Sequence, residues 1–262
     1  CLAGCGAVSE TFFRSASTRR IAILKVHSMN SNPVVLITGA TKGIGRAIAE
    51  RFAATASELH VVARNQDDLN AMKTALERPG LSVAVYCADL SKPDEVGALL
   101  AALQDRLPRL DVLVNNAGVY LPGSLLEEDA DNLRYMIQLN VLSHYEITRG
   151  LASVMSSGTH IINMASVASR KLFLGKPSYS ISKHAQATMV EAFRHEFRPR
   201  GIRVTSIMPG PTWSASWEGV SFPESRLLNA DHIAEAVWSA WSLPPEAVIE
   251  EIVIRPFDGD IE

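Results

Sequence analysis

The run Val34-Val35-Leu36-Ile37-Thr38-Gly39-Ala40-Thr41-Lys42-Gly43-Ile44-Gly45 decides the fold. Its first five residues are apolar or β-branched without a break, the mark of a strand buried on both faces. Three glycines follow, and a helical pattern opens over about 44–55. Glycine reaches backbone conformations closed to other residues and lets a ligand approach the main chain. A helix N-terminus behind such a turn offers unpaired N–H groups and positive potential, which suits a pyrophosphate. The spacing is G-x3-G-x-G, not G-x-G-x-x-G. Strand, glycine turn and helix together favour a nucleotide site over a bare tight turn.

Outward from this run the chain alternates. Strand patterns fall at His60–Ala63, Leu81–Cys87, Asp111–Val114, His160–Met164, Ile202–Met208 and Glu251–Ile254. Helical patterns lie between them, over 66–78, Pro93–Leu107, about 124–156, from about 178 to before Pro199, and 231–242. Ser91 is the expected cap of the third helix, with Pro93 in its first turn. The alternation predicts an α/β fold: a doubly wound, Rossmann-type parallel sheet with helices on both faces, in one domain over 33–262. Ligands of such sheets bind beyond the carboxyl ends of the strands.

Composition narrows the function. The chain has 262 residues, 47% of them hydrophobic, and a net charge of -3. That supports a sizeable core and gives no sign of nucleic acid or a membrane as partner. No apolar run is long enough to cross a bilayer. The cysteines, Cys1, Cys5 and Cys87, form no disulfide framework or CxxC pair, which fits a reducing, cytoplasmic setting. The seven histidines show no metal-ligand spacing, so no metal is expected. Residues 1–28 carry Arg14, Arg19, Arg20 and Lys25 against one acid, Glu10. Residues 1–32 are expected to form a disordered extension, with a transit-type leader as the alternative.

Tyr179-Ser180-Ile181-Ser182-Lys183 places a phenol and an amine four residues apart on a helix, on one face and one turn apart. An ammonium beside a phenol favours the phenolate and lowers its pKa. A tyrosine so tuned can exchange a proton with an alcohol or carbonyl oxygen. By itself the pair is weak. With it stand Thr38 to Gly45, then Asn115-Asn116-Ala117-Gly118 after the fourth strand, and Ser166, thirteen residues before Tyr179. In this order the set resembles the short-chain dehydrogenase/reductase family in its compact one-domain form, from about Pro33 to about Pro211 and onward to Ile254.

The resemblance implies roles. Tyr179 would be the general acid in reduction and the base in oxidation. Lys183 would lower its pKa and bond the nicotinamide ribose, and Ser166 would donate to the substrate oxygen. Asn140 would hold a water joining Lys183 to a proton relay. Gly39, Thr41, Lys42, Gly43, Ile44, Gly45, Asn116, Ala117 and Gly118 would line the cofactor site, with Asp89 and Leu90 at the adenine. Pro209, Gly210 and Thr212 would lie near the nicotinamide, Ser214 being the alternative to Thr212.

The end of the second strand reads Ala63-Arg64-Asn65, with no acid for the ribose hydroxyls. Arg64 can pair with a 2′-phosphate, and Lys42 is a second cation near the same place. Asp67 and Asp68 fall in the next helix. NADP(H) is therefore the expected cofactor. The stretch at about 211–230, with Trp213, Trp217 and Phe222, corresponds to the family's substrate lid. Lys171-Leu172-Phe173-Leu174 would form the opposite wall, and Tyr120 and Leu121 would face the same pocket. The expected activity is hydride transfer between NADP(H) and a small carbonyl or alcohol, in a homodimer or homotetramer. The alternative is a non-catalytic NADP-binding sensor.

Overall fold

The computed structural model describes residues 32–213, 223 and 226–259. Seven strands make one sheet: β1 Val34–Thr38, β2 Glu58–Ala63, β3 Ser82–Cys87, β4 Leu110–Asn115, β5 Met155–Met164, β6 Arg203–Pro209 and β7 Glu251–Ile254. Their order is β3-β2-β1-β4-β5-β6-β7, and every pairing is parallel. The order reverses between β1 and β4. This is the switch point where a crevice opens at the carboxyl edge.

The connecting helices are α1 Gly43–Ala53, α2 Gln66–Leu76, α3 Pro93–Arg106, α4 Ala130–Ile137, α5 Ser143–Gly150, α6 Pro177–Phe197 and α7 Ala230–Trp241. They divide between the faces. Val35 and Ile37 of β1 pack in one core with α1, α2 and α7, through Ile48, Phe52, Leu69, Val237 and Trp241. Val34 and Leu36 pack in the other with α3, α5 and α6, through Leu99, Leu103, Ile147, Val190 and Phe193. A strand that must be apolar on both sides reads as a continuous apolar run, as β1 does. Phe52 meets Trp238 and Trp241 edge-on at 5.5 and 5.3 Å, locking α1 to α7.

Four local expectations change. The stretch expected as one helix over 124–156 begins only at Ala130, where the Asp129 carboxylate accepts from the Asp131 N–H. It then passes through a π turn, Gln138–Leu142, before α5. The fifth strand starts at Met155 rather than His160, because residues 155–159 stay extended beyond the apolar run. Lys92, not Ser91, occupies the cap position of α3, and it makes no side-chain cap bond. Asn32, placed in the extension, is tied to the fold: its carbonyl accepts from Ser57 Oγ and Arg109 Nη2, both at 3.0 Å. The remainder of the expected extension lies outside the described residues. So do Ser214, Trp217 and Phe222 of the expected lid.

Candidate active site

The glycine turn after β1 and the loop after β4 interlock at the switch point. Thr38 Oγ1 accepts from the N–H groups of Asn116 and Ala117, both at 3.0 Å. The Asn116 amide donates back to the carbonyls of Thr38 (2.9 Å) and Gly39 (3.1 Å). Gly39 has φ +64°, and a Cβ there would lie 2.9 Å from the Ala117 Cα. A Cβ on Gly45 would meet the Gly39 carbonyl oxygen at 2.2 Å. The glycines therefore permit two loops and a helix to touch, as well as leaving room for a ligand.

Between these loops and the end of β2 lies a cavity of about 760 Å³. Gly39, Thr41, Lys42, Gly43, Ile44, Gly45, Arg64, Leu90, Asn116, Ala117 and Gly118 all border it. Asp89 does not. Its carboxylate accepts from the Ser91 N–H and hydroxyl, at 3.0 and 2.7 Å. Burial works to raise the Asp89 pKa, but the Ser91 bonds and the nearby Arg64 bring it below the usual carboxylate range. The cap position of α1, Lys42, makes no side-chain cap bond, and the first turn has no acid. Its N–H groups are thus open to an anion. Asp68, set aside in the sequence as part of the next helix, also borders the cavity and pairs with Lys42 at 3.2 Å.

The second cluster sits where β5 and α6 meet. Ser166 caps a short 3-10 turn, its Oγ accepting from the Ala168 N–H at 3.1 Å. The hydroxyl hydrogen remains to be donated, and Tyr179 is within hydrogen-bonding reach. Lys183 Nζ donates to the Met164 carbonyl (3.0 Å) and to Gln186 Oε1 (2.9 Å), and lies 5.8 Å from the centre of the Tyr179 ring. Asn140 is fully buried in the π turn. Its Oδ1 accepts from the Val119 N–H (2.8 Å), and its Nδ2 donates to the Val119 carbonyl (3.0 Å) and Ser182 Oγ (3.1 Å). Ser182 in turn donates to the Tyr179 carbonyl at 2.8 Å. Asn140 thus joins the β4 loop to α6 directly, through side chains.

The expected drop in the Tyr179 pKa is reversed in this structure. Burial pushes it above 10, with the Ser166 hydrogen bond opposing and Tyr120 adding to the rise. Burial also pulls the Lys183 ammonium down to about 7. Helix spacing brings the two groups onto one face, but burial sets the direction in which each moves.

Tyr120 packs edge-on against Tyr179, with ring centres 5.2 Å apart. Phe173 is buried with Val167 and Ala168, and Tyr179 packs against this group. Leu172 and Leu174 are exposed. Across the site, Pro209 ends β6 opposite Ile254, and the Gly210 N–H donates to the Ile254 carbonyl at 2.7 Å. Thr212 Oγ1 donates to the Gly210 carbonyl at 3.0 Å, so this hydroxyl is engaged within its own turn. The expected lid is pinned at both ends: Trp213 N–H bonds the Leu228 carbonyl and Leu228 N–H the Pro211 carbonyl, both at 2.8 Å.

The family model described as short chain dehydrogenase matches residues 33–221. The chain belongs to this family. It is 33% identical over 240 residues to a sepiapterin reductase of Chlorobaculum tepidum, covering 87% of this chain and 98% of that protein. Among solved structures it is similar to an alcohol dehydrogenase of the archaeon Thermococcus sibiricus complexed with 5-hydroxy-NADP. That match has a TM-score of 0.78 and 28% identity over 88% of this chain and 99% of the other. A blue fluorescent protein from a metagenomic library, in complex with NADPH, matches with a TM-score of 0.79 and 26% identity over 87% and 98%.

Sequence reasoning missed Thr38, Ser182, Gln186 and His144 of this short-chain dehydrogenase. A signal for three of them was present. Ser182 lies three residues after Tyr179, Gln186 three after Lys183, and His144 four after Asn140. Each shares a helix face with a residue already singled out.

Proposed function

We propose that the chain is an NADP(H)-dependent reductase of a carbonyl compound, running in reverse as an alcohol dehydrogenase. The observation that carries this is the grouping of Ser166, Tyr179 and Lys183, with Lys183 Nζ next to Gly118 at the border of a cavity that Arg64 and Lys42 also line. The residues present fit a phosphorylated dinucleotide. The open N-terminus of α1 suits the pyrophosphate, and Arg64, whose Nη1 makes one long bond of 3.4 Å to the Tyr135 hydroxyl, borders the cavity where a 2′-phosphate would lie. The Lys42–Asp68 pair is exposed and worth about 1 kcal/mol or less, so a phosphate can compete for Lys42. The bound cofactor supplies or accepts the hydride.

The chain's own residues handle the oxygen and the proton. Tyr179, held protonated by burial, gives its phenolic proton to the carbonyl oxygen in reduction. Ser166 turns its hydroxyl hydrogen to the same oxygen as charge develops. The Lys183 charge stabilises the phenolate left behind. Tyr120 and Phe173 pack around the Tyr179 ring. A homodimer or homotetramer belongs to the same reading, and sedimentation of the purified protein tests it.

The test is NADPH oxidation against a carbonyl panel, with NADH as control. The sepiapterin reductase relative makes pterin side-chain ketones the first members, followed by sugars and aliphatic ketones. Tyr179→Phe is expected to lower turnover by roughly a hundred- to ten-thousandfold while NADPH still binds. Turnover that survives this change overturns the proton-transfer role. NADPH binding without turnover of any carbonyl favours the sensor.

A further inference from the structure

A buried histidine that the reaction does not use lies behind Lys183. His144 on α5 is fully buried. Its Nε2 meets the Ala117 carbonyl at 2.7 Å, and its Nδ1 meets Gln186 Nε2 at 2.8 Å. Gln186, also fully buried, turns its Oε1 to Lys183 Nζ at 2.9 Å. The chain Ala117–His144–Gln186–Lys183 has only one self-consistent direction. The Ala117 carbonyl can only accept, so His144 carries its hydrogen on Nε2. His144 Nδ1 is then an acceptor, which fixes the Gln186 NH2 towards it and the Gln186 carbonyl towards Lys183. A protonated imidazole would set donor against donor at Gln186. Burial first, and the Lys183 charge second, hold His144 neutral, down to about 3.

We propose that Gln186, oriented by His144, is a positioning residue that presents a fixed acceptor to Lys183, keeping it a charged donor for the cofactor. The proposal rests on the NADP(H) reading above. An ammonium has three hydrogens and a neutral amine two. The Met164 carbonyl and Gln186 Oε1 take two. Only the charged form has one left for the cofactor side, where Gly118 borders the cavity near Nζ. Among the described residues, the titratable groups facing Lys183 are Tyr179 from its own helix, His144 from α5 and, behind Tyr179, Tyr120 from the β4 loop. None is a carboxylate, so the neutral Gln186 carbonyl does the work an acid would do elsewhere. The far end of the chain is the Ala117 carbonyl, in the loop that borders the dinucleotide cavity. Cofactor seating and the Lys183 amine are thereby linked through two side chains.

The test compares Gln186→Leu, Gln186→Glu and His144→Leu with the wild type. The Lys183 amine is titrated by side-chain NMR in cofactor-free protein, its signal assigned with Lys183→Arg. The wild-type midpoint is expected near 7. Gln186→Leu, which removes the acceptor, moves it down by about one pH unit; His144→Leu, which frees the amide to turn, moves it down by less. Gln186→Glu moves it up by about one unit or more. NADPH affinity, read by fluorescence, weakens about tenfold at pH 8 in Gln186→Leu and recovers to within about twofold of wild type at pH 6. If leucine is not accommodated at 186, the opposite shifts of Gln186→Glu and His144→Leu decide. Lost thermal stability with an unmoved midpoint in these variants reduces the chain to packing and overturns the proposal. These readouts need no substrate, so they stand or fall separately from carbonyl turnover.

Discussion

The dinucleotide cradle and the proton-transfer cluster share one sheet edge and are built in opposite ways. The cradle is made of backbone. Its glycines let the β1 and β4 loops touch, its anion site is a helix N-terminus, and its cations Lys42 and Arg64 are exposed. The cluster is made of side chains. Lys183, Gln186, His144, Asn140 and Ser182 are buried and satisfy one another. In the cradle, water competes with every charge, so the cations select between cofactors while backbone shape holds the site together. In the cluster, desolvation dominates and shifts Tyr179 up and Lys183 down. The cradle is thus shaped by backbone geometry, and the titratable groups of the cluster are shifted by burial.

The comparison can be broken at its most rigid point first. Gly45→Ala drives a methyl against the Gly39 carbonyl and the Asn116 amide, at 2.2 and 2.5 Å. Neither can retreat without opening the clamp between the loops. The expected cost is about 3 kcal/mol of stability, with NADPH binding lost; calorimetry and a fluorescence titration measure both. Wild-type affinity in this variant would show that the cradle is not set by backbone contact.

Thr38→Val keeps the shape and removes the acceptor for two N–H groups in the β4 loop. The expected destabilisation is about 2–3 kcal/mol, read from denaturant midpoints. NADPH affinity should fall with it, because Ala117 and Gly118 would no longer be held against the β1 turn.

Acid probes the buried side. His144 is held down to about 3, and His160, buried beside Thr205, is also held well below 6.5. Above about pH 6.5 both are neutral whether folded or unfolded, so stability does not depend on them. Below it the unfolded chain takes up protons that the folded chain refuses, and stability falls as pH falls. For His144 the loss runs from about 6.5 to about 3, at about 1.4 kcal/mol per pH unit at most. Lys183, held down to about 7 in the folded chain, has the same sign at higher pH, so the thermal midpoint should fall from pH 8 to 7 and drop further by pH 5. A midpoint that rises on acidification would contradict the burial of neutral imidazoles.

The exposed cations should give the smallest effects, and unequal ones. Arg64→Ala is expected to cut the NADPH-over-NADH preference about tenfold or more, through loss of charge-assisted bonds. Lys42→Ala should cost only a few-fold, because Lys42 is exposed and already shared with Asp68. Dissociation constants for both cofactors in both variants check the order. An equal or reversed ranking would move the phosphate site from the β2 end towards the α1 turn.

How much could be read beforehand follows the same division. The continuous apolar run of β1, the alternation of strands and helices, and the glycine loop were legible because their patterns are local. Of the expected cofactor residues, those up to Gly118 border the cavity except Asp89, whereas Tyr179, Lys183, Pro209, Gly210 and Thr212 do not. Asp89 turned instead to Ser91, the residue expected to cap α3. The π turn at Asn140 broke an expected continuous helix. Its side chain is drawn into bonds with Val119 and Ser182, which lie far away in sequence. Thr38 was visible as the end of a strand, but its role as an acceptor for the β4 loop was not.

The sequence by itself determined the topology, the nucleotide turn and the residue types available for proton transfer. These depend on periodicity, glycine and short spacings, which act within a few residues. Only the tertiary structure decided the charge state of Tyr179 and Lys183, the pairing of Lys42 with Asp68, and the chain from Ala117 through His144 and Gln186 to Lys183. Those depend on burial and on partners brought from other elements. Desolvation and hydrogen-bond direction are properties of the assembled core, and no single segment carries them.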